Sequence, residues 1–121
     1  MKSLPGIDMI EINRIKNSLE NLRFLTKVYG KNEISLFSKK NMPIQSIAAN
    51  FAAKEAFLKA CGVGLGYFDL SEIEILRRET GQPYIKLSGK AKAETLHLSF
   101  TVSLTHTRNY AAAIVIAQPI E

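Results

Sequence analysis

Two acidic residues stand where a charge is unexpected, and they are the first candidates for chemistry. Glu55 lies in the middle of an alanine-rich segment, where close-packed small residues make an unpaired charge costly to bury. Asp8 interrupts the apolar run Leu4–Ile12. Carboxylates on separate elements can meet at one hard cation, and Mg²⁺ typically takes one or two of them, together with waters and substrate phosphate. The sequence is therefore compatible with a Mg²⁺ site formed by these two side chains.

Each carboxylate also has an ordinary structural interpretation. Glu55 has the spacing for an ion pair with Lys59, which is worth roughly 0.3–0.5 kcal/mol on an exposed helix surface. Asp8 either ends a strand or caps the helix that follows, because Asp8 and Glu11 have the three-residue spacing of a capping box. Taken alone, neither residue distinguishes a metal ligand from a structural side chain.

A lysine followed by three spaced glycines suggests an anion-binding loop. Lys59 lies on the last turn of a predicted helix, and Gly62, Gly64 and Gly66 leave the backbone free to approach a ligand closely. The loop is not a P-loop, because it follows a helix and lacks the G-K-[ST] ending. A simple helix ending would explain the glycines equally well.

Two further side chains are reactive by type. His106 ends the strand with the clearest alternation, so it is either a turn residue or a group that bonds phosphate or transfers protons. Cys61, the single cysteine, closes an apolar helix with no histidine nearby in the sequence, which favours a buried, inert thiol. It cannot pair within the chain, and this agrees with a reducing compartment.

Hydrophobic periodicity predicts the elements that position these residues. We expect a first strand over 4–10 and helices over 11–22, 32–38 and 44–61, the last of them ended by Gly62. Later strands are predicted over 71–76, 84–87, 96–104 and 110–117, with a short helix over 89–94. Hairpins rather than crossover helices join these strands, so the predicted class is α+β, with an antiparallel sheet packed against a long central helix.

Composition limits the classes of function. Residues 1–121 contain no repeat, linker or low-complexity run, so we expect a single domain. No stretch reaches the roughly 20 apolar residues of a membrane span, and the N-terminal apolar run, broken by Asp8 and Glu11, lacks the features of a signal peptide. We therefore expect a cytoplasmic protein without a membrane partner. The formal net charge of +5 favours an anionic partner, whether nucleic acid, a polyphosphate metabolite or an acidic protein.

Three segments of the chain form a pattern when they are read together. They are GIDMIEI at 6–12 followed by Arg14 and Ile15, FAAKEAF at 51–57 followed by Lys59 and Ala60, and SLTHT at 103–107 followed by Tyr110 and Ala111. In order, spacing and total length the chain resembles the holo-acyl-carrier-protein synthases, the small branch of the 4′-phosphopantetheinyl transferases. The likeness spans nearly the whole chain, and FAAKEAF is especially specific. It favours the metal interpretation of Asp8 and Glu55 over the structural ones.

The resemblance implies a fold, the phosphopantetheinyl transferase fold, and a role for each candidate residue. Asp8 and Glu55 would hold the Mg²⁺ that bridges the pyrophosphate of coenzyme A, and Lys59 would lie near the same phosphates. The Gly62–Gly64 loop would run along the cofactor, and His106 would contact coenzyme A from a neighbouring subunit. The catalytic candidates are therefore Glu55 and Lys59, and the expected assembly is a homotrimer with active sites between subunits.

The implied reaction is attack by a serine hydroxyl of apo acyl carrier protein on the β-phosphorus of coenzyme A. It releases adenosine 3′,5′-bisphosphate and serves fatty acid synthesis. Charge stabilisation is most of what such a transfer requires, and the metal and Lys59 would supply it. The general base stays open between Glu55, a metal-bound water and a group on the carrier protein. Arg14, on the first helix, matches a position that meets the acidic carrier protein.

Three positions depart from the family pattern. Asn50 stands where an arginine is usual, Val63 replaces a threonine between two loop glycines, and Cys61 stands where leucine, methionine or phenylalanine is frequent. The first departure removes a phosphate contact, which Lys39 or Lys40 could replace. None of the three changes a proposed metal ligand.

Two other functions stay open. A small basic RNA-binding module would use Lys39, Lys40, Arg77 and Arg78. The few aromatic residues and the lack of a stacking motif argue against it, so we expect no nucleic acid partner. The second alternative is a family member that keeps the fold but has lost activity through the departures described above.

Overall fold

The computed structural model describes residues 2–120, which fold around one central helix. The elements, in chain order, are β1 Leu4–Glu11, α1 Ile12–Ser18, α2 Leu22–Val28, α3 Lys31–Lys39, α4 Ile44–Ala60, β2 Ile73–Arg77, β3 Pro83–Leu87, α5 Gly89–Ala93, β4 Leu98–His106 and β5 Tyr110–Pro119. The predicted α+β class is confirmed, with α4 as the long central helix.

The strands form two antiparallel sheets where a single one was expected. One sheet has the order β1-β5-β4, and the hairpin β2-β3 forms the other. In the larger sheet Asp8 pairs with Ala113, which in turn pairs with Leu104. Alternate side chains of β4 from Leu98 to Leu104 are partly buried against the core, as the alternation predicts, while the intervening serines and threonines are mostly exposed.

Helix α4 is buried on most sides, because small residues let several elements approach it at once. Ala48, Ala49, Ala52, Ala53 and Ala56 are all buried, and the helix packs against β1, β5, β4 and β2. Bulk comes from Phe51 and Phe57, which contact other aromatic rings. An alanine-rich helix of this kind carries no single apolar stripe, so other interactions must fix its rotation.

A buried polar network supplies that restraint on α4. The Lys54 ammonium donates to the Glu33 carboxylate at 2.6 Å and to the carbonyl oxygens of Leu70 and Ile73. The amide of Asn50 donates to the same glutamate at 2.9 Å. Both charged side chains have 0% exposure, so the network ties α4 to α3 and β2 in the interior.

Several predicted boundaries were wrong, among them the start of the strand predicted over 71–76, which begins at Ile73, and two others have a clear physical cause. The helix expected over 11–22 is divided, because Asn21 caps a new helix by accepting a hydrogen bond from the Arg23 amide at 2.9 Å. The strand expected from Leu96 begins at Leu98, since Leu96 lies in the preceding turn with 68% of its surface exposed. Among residues 2–120, no helix is both long and apolar enough to cross a membrane.

Candidate active site where β1 crosses α4

The first strand approaches α4 unusually closely at Gly6. A Cβ atom placed there would collide with the carbonyl oxygen of Ala56 and lie 2.6 Å from the amide nitrogen of Ala60. Glycine is therefore required by packing at this crossing. Asp8, two residues further along the same strand, has its side chain on the same face and so points toward the helix.

Lys59 joins the helix to the strand at this crossing. Its ammonium donates to Asp8 Oδ1 at 3.1 Å and to the carbonyl oxygen of Ile7 at 3.0 Å. The lysine side chain is 56% exposed and that of the aspartate 15% exposed. The alternative interpretation, in which Glu55 pairs with Lys59, is therefore wrong, because the lysine bonds the strand instead.

Glu55 lies within the electrostatic field of the same residues. Partial burial raises the pKa of its carboxyl group, the charge of Asp8 raises it further, and Arg14 and Lys59 oppose the shift. Two carboxylates and two cationic side chains, from β1, α1 and α4, are thus close enough to influence one another. The sequence could only permit this convergence; in the structure the two carboxyl groups are close enough for the charge of Asp8 to affect the pKa of Glu55.

The capping prediction for Asp8 was wrong. This residue lies inside β1, three residues before its end, and pairs with Ala113. The residue that precedes α1 is Glu11, and its side chain caps nothing. In the structure, the side chain of Asp8 bonds Lys59 and caps no helix.

The chemistry of this donor set fits Mg²⁺. Within residues 2–120 no group of three or more His, Cys, Asp or Glu side chains could form a cage of protein ligands. A pair of carboxylates suits a cation that completes its shell with water and substrate phosphate. The charge of Asp8 raises the pKa of Glu55, and a bound cation would relieve this repulsion.

The glycine loop begins directly after this cluster. Gly62, at φ 72°, ends α4 as predicted, and the Val63 amide bonds the Leu58 carbonyl at 3.0 Å. A Cβ placed on Gly62 or Gly64 would meet nothing within 4 Å, so the loop surface is open. Burial raises the pKa of the half-buried Cys61 thiol to about 11, which agrees with the expected inert thiol.

His106 lies apart from the acidic cluster of its own chain. It ends β4 and lines a cavity together with Ala49 and Arg77. Ala49 precedes Glu55 by six residues, or about 9 Å along the helix. Within one chain, therefore, Asp8, Glu55 and Lys59 lie near one another, and the histidine lines a cavity that these three residues do not line.

Arg77 also lines this cavity, and the sequence connected it only with the RNA-binding alternative. Its Nη2 donates to Asn50 Oδ1 at 2.8 Å, and Asn50 is completely buried. The position that lacks the usual arginine thus has a guanidinium beside it, 27 residues away in sequence. Lys40 lines a neighbouring cavity with Arg77. No local spacing signals this pairing, since it forms only through the tertiary fold.

Comparisons with known proteins identify the family. A model described as the 4′-phosphopantetheinyl transferase superfamily matches residues 5–115. The holo-[acyl-carrier-protein] synthase of Ruminiclostridium cellulolyticum is 47% identical over 123 residues, covering 96% of this chain and 92% of that protein.

Solved structures give the same result. Helicobacter pylori holo-[acyl-carrier-protein] synthase in complex with coenzyme A is 31% identical, with a TM-score of 0.81, and the match covers 95% of this chain and 100% of that one. The Bacillus anthracis holo-(acyl-carrier-protein) synthase in complex with CoA (3′,5′-ADP) is 29% identical, with a TM-score of 0.80 and coverage of 97% and 96%.

The site thus consists of a glutamate and a lysine of the central helix beside an aspartate of the first strand. The chain belongs to the 4′-phosphopantetheinyl transferase superfamily. The family predicted from three sequence segments is therefore confirmed, and so is the prediction of an enzyme of this class.

Proposed function

We propose that the chain transfers the 4′-phosphopantetheine group of coenzyme A to a serine of apo acyl carrier protein in a Mg²⁺-dependent reaction. The observation that carries the proposal is the meeting of Asp8 and Glu55 beside Lys59 where β1 crosses α4. Relatives that cover nearly the whole chain are holo-[acyl-carrier-protein] synthases, and two related structures hold coenzyme A or a form of it.

The proposed cofactor is Mg²⁺, held by Asp8 and Glu55. When bound, it supplies neutralisation of charge on the phosphate oxygens. The exposed ammonium of Lys59 lies beside the same carboxylates, so it can turn toward an incoming diphosphate and stabilise charge that develops during transfer. The open loop at Gly62 and Gly64 leaves room for the rest of coenzyme A next to these groups.

The transfer needs one bond formed and one broken. The serine oxygen of the carrier protein bonds the β-phosphorus, and the phosphoanhydride bond to adenosine 3′,5′-bisphosphate breaks. The serine proton must pass to a base. Glu55 is the candidate base that this chain offers, and a group on the carrier protein is another.

The proposed assembly is a homotrimer in the cytoplasm. The outer face of the larger sheet exposes adjacent apolar side chains, with Ile7 65% and Met9 67% exposed and Ile114 paired opposite Ile7. Contiguous exposed apolar surface of this kind is typical of an interface. Association through this face would let His106 of one subunit reach the coenzyme A bound beside Glu55 of the next.

The proposed carrier-protein surface is the exposed side of α1. Arg14 is exposed there and lies close enough to Glu55 to influence its pKa. A cationic side chain at the rim of the site would attract an acidic protein and bring its serine toward the reacting phosphate. The net charge of +5 acts in the same direction for both anionic substrates.

The experiment is direct. The protein is incubated with coenzyme A, Mg²⁺ and an apo acyl carrier protein, and the carrier is weighed by mass spectrometry. We expect a mass increase equal to one phosphopantetheine group, which disappears when a chelator removes the divalent ion. An unmodified carrier under all conditions would support the inactive-member alternative, and modification in the presence of chelator would reject the metal role.

A further inference from the structure

The glycine loop, residues 62–66, has a backbone with wide conformational freedom. Gly62 and Gly66 have φ values of 72° and 92°, and a Cβ atom placed on either would meet nothing within 4 Å. Leu65, which lies between them, is 72% exposed. Glycines in the left-handed region give a segment access to many backbone conformations. The contacts at the two ends of this loop therefore decide its shape.

The first end of the loop is fixed by the last turn of α4. The Gly62 amide donates to the carbonyl oxygen of Lys59 at 3.1 Å, and the Val63 amide donates to that of Leu58 at 3.0 Å. These bonds engage carbonyl oxygens at the end of the helix. This end of the loop therefore keeps its position relative to α4.

The second end is held by three side chains that we call the Tyr67 tether, namely Tyr67, Lys90 and Glu94. The hydroxyl of Tyr67 donates to Glu94 Oε1 at 2.6 Å. The ammonium of Lys90 donates to the carbonyl oxygen of Tyr67 at 3.2 Å and lies 4.0 Å from the centroid of its ring. Tyr67 is thus bound through its hydroxyl group, its ring and its main chain to α5 and the residue that follows this helix.

The groups on both sides of the tether rest on the core. On the α5 side, Ala91 is completely buried, and its carbonyl oxygen accepts a hydrogen bond from the Thr95 hydroxyl at 2.6 Å. On the loop side, Phe68 is 3% exposed and lies 6.2 Å from the ring of Phe57 on α4. The Tyr67 ring meets that of Phe68 edge-on at 4.9 Å. The tether therefore connects the loop to parts of the fold that are fixed by packing.

The tether is poorly placed to stabilise the fold as a whole. Tyr67 is 44% exposed, and the side chains of Lys90 and Glu94, whose charged groups lie 3.9 Å apart, are 51% and 41% exposed. Exposed contacts of this kind contribute little to the free energy of unfolding. Because they converge on one residue beside a glycine-rich segment, they instead reduce the number of conformations that this segment samples.

We propose that the Tyr67 tether holds the glycine loop in the conformation that accepts coenzyme A, which makes Tyr67 a positioning residue for this substrate. The inference rests on the proposed function, in which coenzyme A lies along the loop beside Lys59. A loop that is already ordered loses less conformational entropy when its ligand binds. The tether acts through the main chain of the loop and not through contact with the ligand.

The first test removes the acceptor of the tyrosine hydroxyl. Affinity for coenzyme A is measured by calorimetry with Mg²⁺ present and carrier protein absent, and Glu94→Ala should lower it about threefold to tenfold. Glu94→Gln keeps an acceptor oxygen and should restore most of the affinity. The thermal unfolding midpoint should stay the same in both variants. Unchanged affinity in Glu94→Ala would overturn the proposal, and a glutamine variant as weak as the alanine variant would reject the hydrogen bond as the cause.

Tyr67→Phe breaks the same hydrogen bond from the other side. It keeps the ring, so it should weaken coenzyme A binding by a factor similar to that of Glu94→Ala. The double variant should bind little more weakly than either single one, because both substitutions remove one shared bond. Losses that multiply in the double variant would indicate two independent effects and would reject the tether.

Lys90→Met and Lys92→Met form a matched pair on α5. Each removes one positive charge, so both change the long-range attraction of an anionic ligand equally. Lys90 bonds the main chain of Tyr67, whereas the exposed Lys92 takes no part in the tether. Lys90→Met should lower the affinity for coenzyme A about threefold or more, and Lys92→Met should change it less than about twofold. Equal weakening by the two variants would assign the effect to net charge and reject the proposal.

Hydrogen exchange provides a measurement that needs no ligand. The Tyr67 amide donates to the Gly64 carbonyl oxygen at 3.2 Å, and in Glu94→Ala it should exchange about threefold or more faster, while the amides of α4 keep their rates. An unchanged rate at Tyr67 would reject the tether. If the unaltered protein bound no coenzyme A, the proposed function itself would fail. That outcome differs from failure of this inference alone, in which the unaltered protein and Glu94→Ala bind coenzyme A equally well.

Discussion

Helix α4 carries two lysines that each bond a carboxylate, in opposite environments. Lys54 and Glu33 have no exposure, and the ammonium reaches further acceptors at the carbonyl oxygens of Leu70 and Ile73. Lys59 is 56% exposed, and its partner Asp8 retains some contact with solvent. The first pair has all its hydrogen-bonding capacity engaged within the protein, whereas the second leaves donors and acceptors for a ligand.

The difference indicates that one charged pair of this helix stabilises the fold and that the other is available for a ligand. A buried, fully bonded pair cannot change partners without leaving an uncompensated charge in the core. An exposed pair contributes little to stability and can exchange its partner for substrate or metal at small cost. We therefore expect Lys54 to fix the position of α4, and the exposure of Lys59 supports its proposed role in the reaction.

The largest expected effect is on stability, at the buried pair. Lys54→Met should lower the free energy of unfolding by about 3–5 kcal/mol, because it leaves the Glu33 carboxylate buried without its cation. Denaturant unfolding measures the loss. The double variant Lys54→Met/Glu33→Gln should lose less than the single one, since the uncompensated charge is gone. A loss below about 1 kcal/mol in Lys54→Met would contradict the contrast between the pairs.

The next effect is on activity, at the exposed cluster. Glu55→Gln should lower Mg²⁺-dependent transfer by about 100- to 1000-fold, because the neutral amide replaces a metal ligand of the proposed site. Mass spectrometry of the carrier protein measures the rate, and thermal unfolding should show no loss of stability. Near-normal activity would remove Glu55 from the metal site.

Lys59→Met separates the two roles most clearly. We expect its free energy of unfolding to change by less than about 1 kcal/mol, because the pair that it breaks is exposed. The transfer rate should fall about tenfold or more with the loss of charge stabilisation. Affinity for Mg²⁺ should not fall, since removing a cation leaves the carboxylates more negative. A large loss of stability, or weaker metal binding, would show that this lysine resembles Lys54.

The pH dependence of metal binding follows from the raised pKa of Glu55. Burial and the charge of Asp8 make its carboxyl group hold a proton at a higher pH than the ordinary glutamate value of about 4.3. A protonated carboxyl group is a poor ligand, so Mg²⁺ affinity should rise as the pH rises through this raised pKa. In the metal-free protein, pH has the opposite effect on the free energy of unfolding. Because the folded state binds the proton more tightly than the unfolded state, this free energy decreases as the pH rises through the same window. Calorimetric Mg²⁺ titrations from acid to neutral pH measure the first effect, and a pH-independent affinity would contradict it.

The smallest expected effect concerns the carrier protein. Arg14→Glu should raise the KM for the carrier protein by about fivefold to tenfold and change the KM for coenzyme A less, because Arg14 is exposed on α1. Steady-state kinetics with each substrate varied in turn provide the measurement. An equal change for both substrates would argue against a separate carrier-protein surface on this helix.

Local sequence pattern was sufficient to predict most of the helices and strands. Alternation in 98–104 and the alanine-rich segment 44–61 predicted β4 and α4, because side-chain period and helix propensity act within a few residues. The divided helix was missed because the apolar spacing continues through the break, and the cap at Asn21 was not recognised as a helix start.

The side-chain partners within the site were harder to predict from the sequence. Asp8, Glu55 and Lys59 were named in advance, but the partner of Lys59 was wrong, because i,i+4 spacing favours Glu55 while the tertiary fold brings a strand closer. The bond between Arg77 and Asn50 spans 27 residues and two elements, so no periodicity encodes it. Long-range polar partners of this kind are fixed only once the chain has folded.

The glycine at the crossing of β1 and α4 has a consequence for the precision of the site. Because Gly6 has no side chain, main-chain atoms of both elements set the separation between strand and helix. Asp8 lies on this strand and Glu55 on this helix, so the distance between their carboxylates does not depend on how side chains pack elsewhere in the core. A substitution that only rearranges distant side chains should therefore leave this distance unchanged. Gly6→Ala, which adds one methyl group at the crossing, should push the strand and the helix apart.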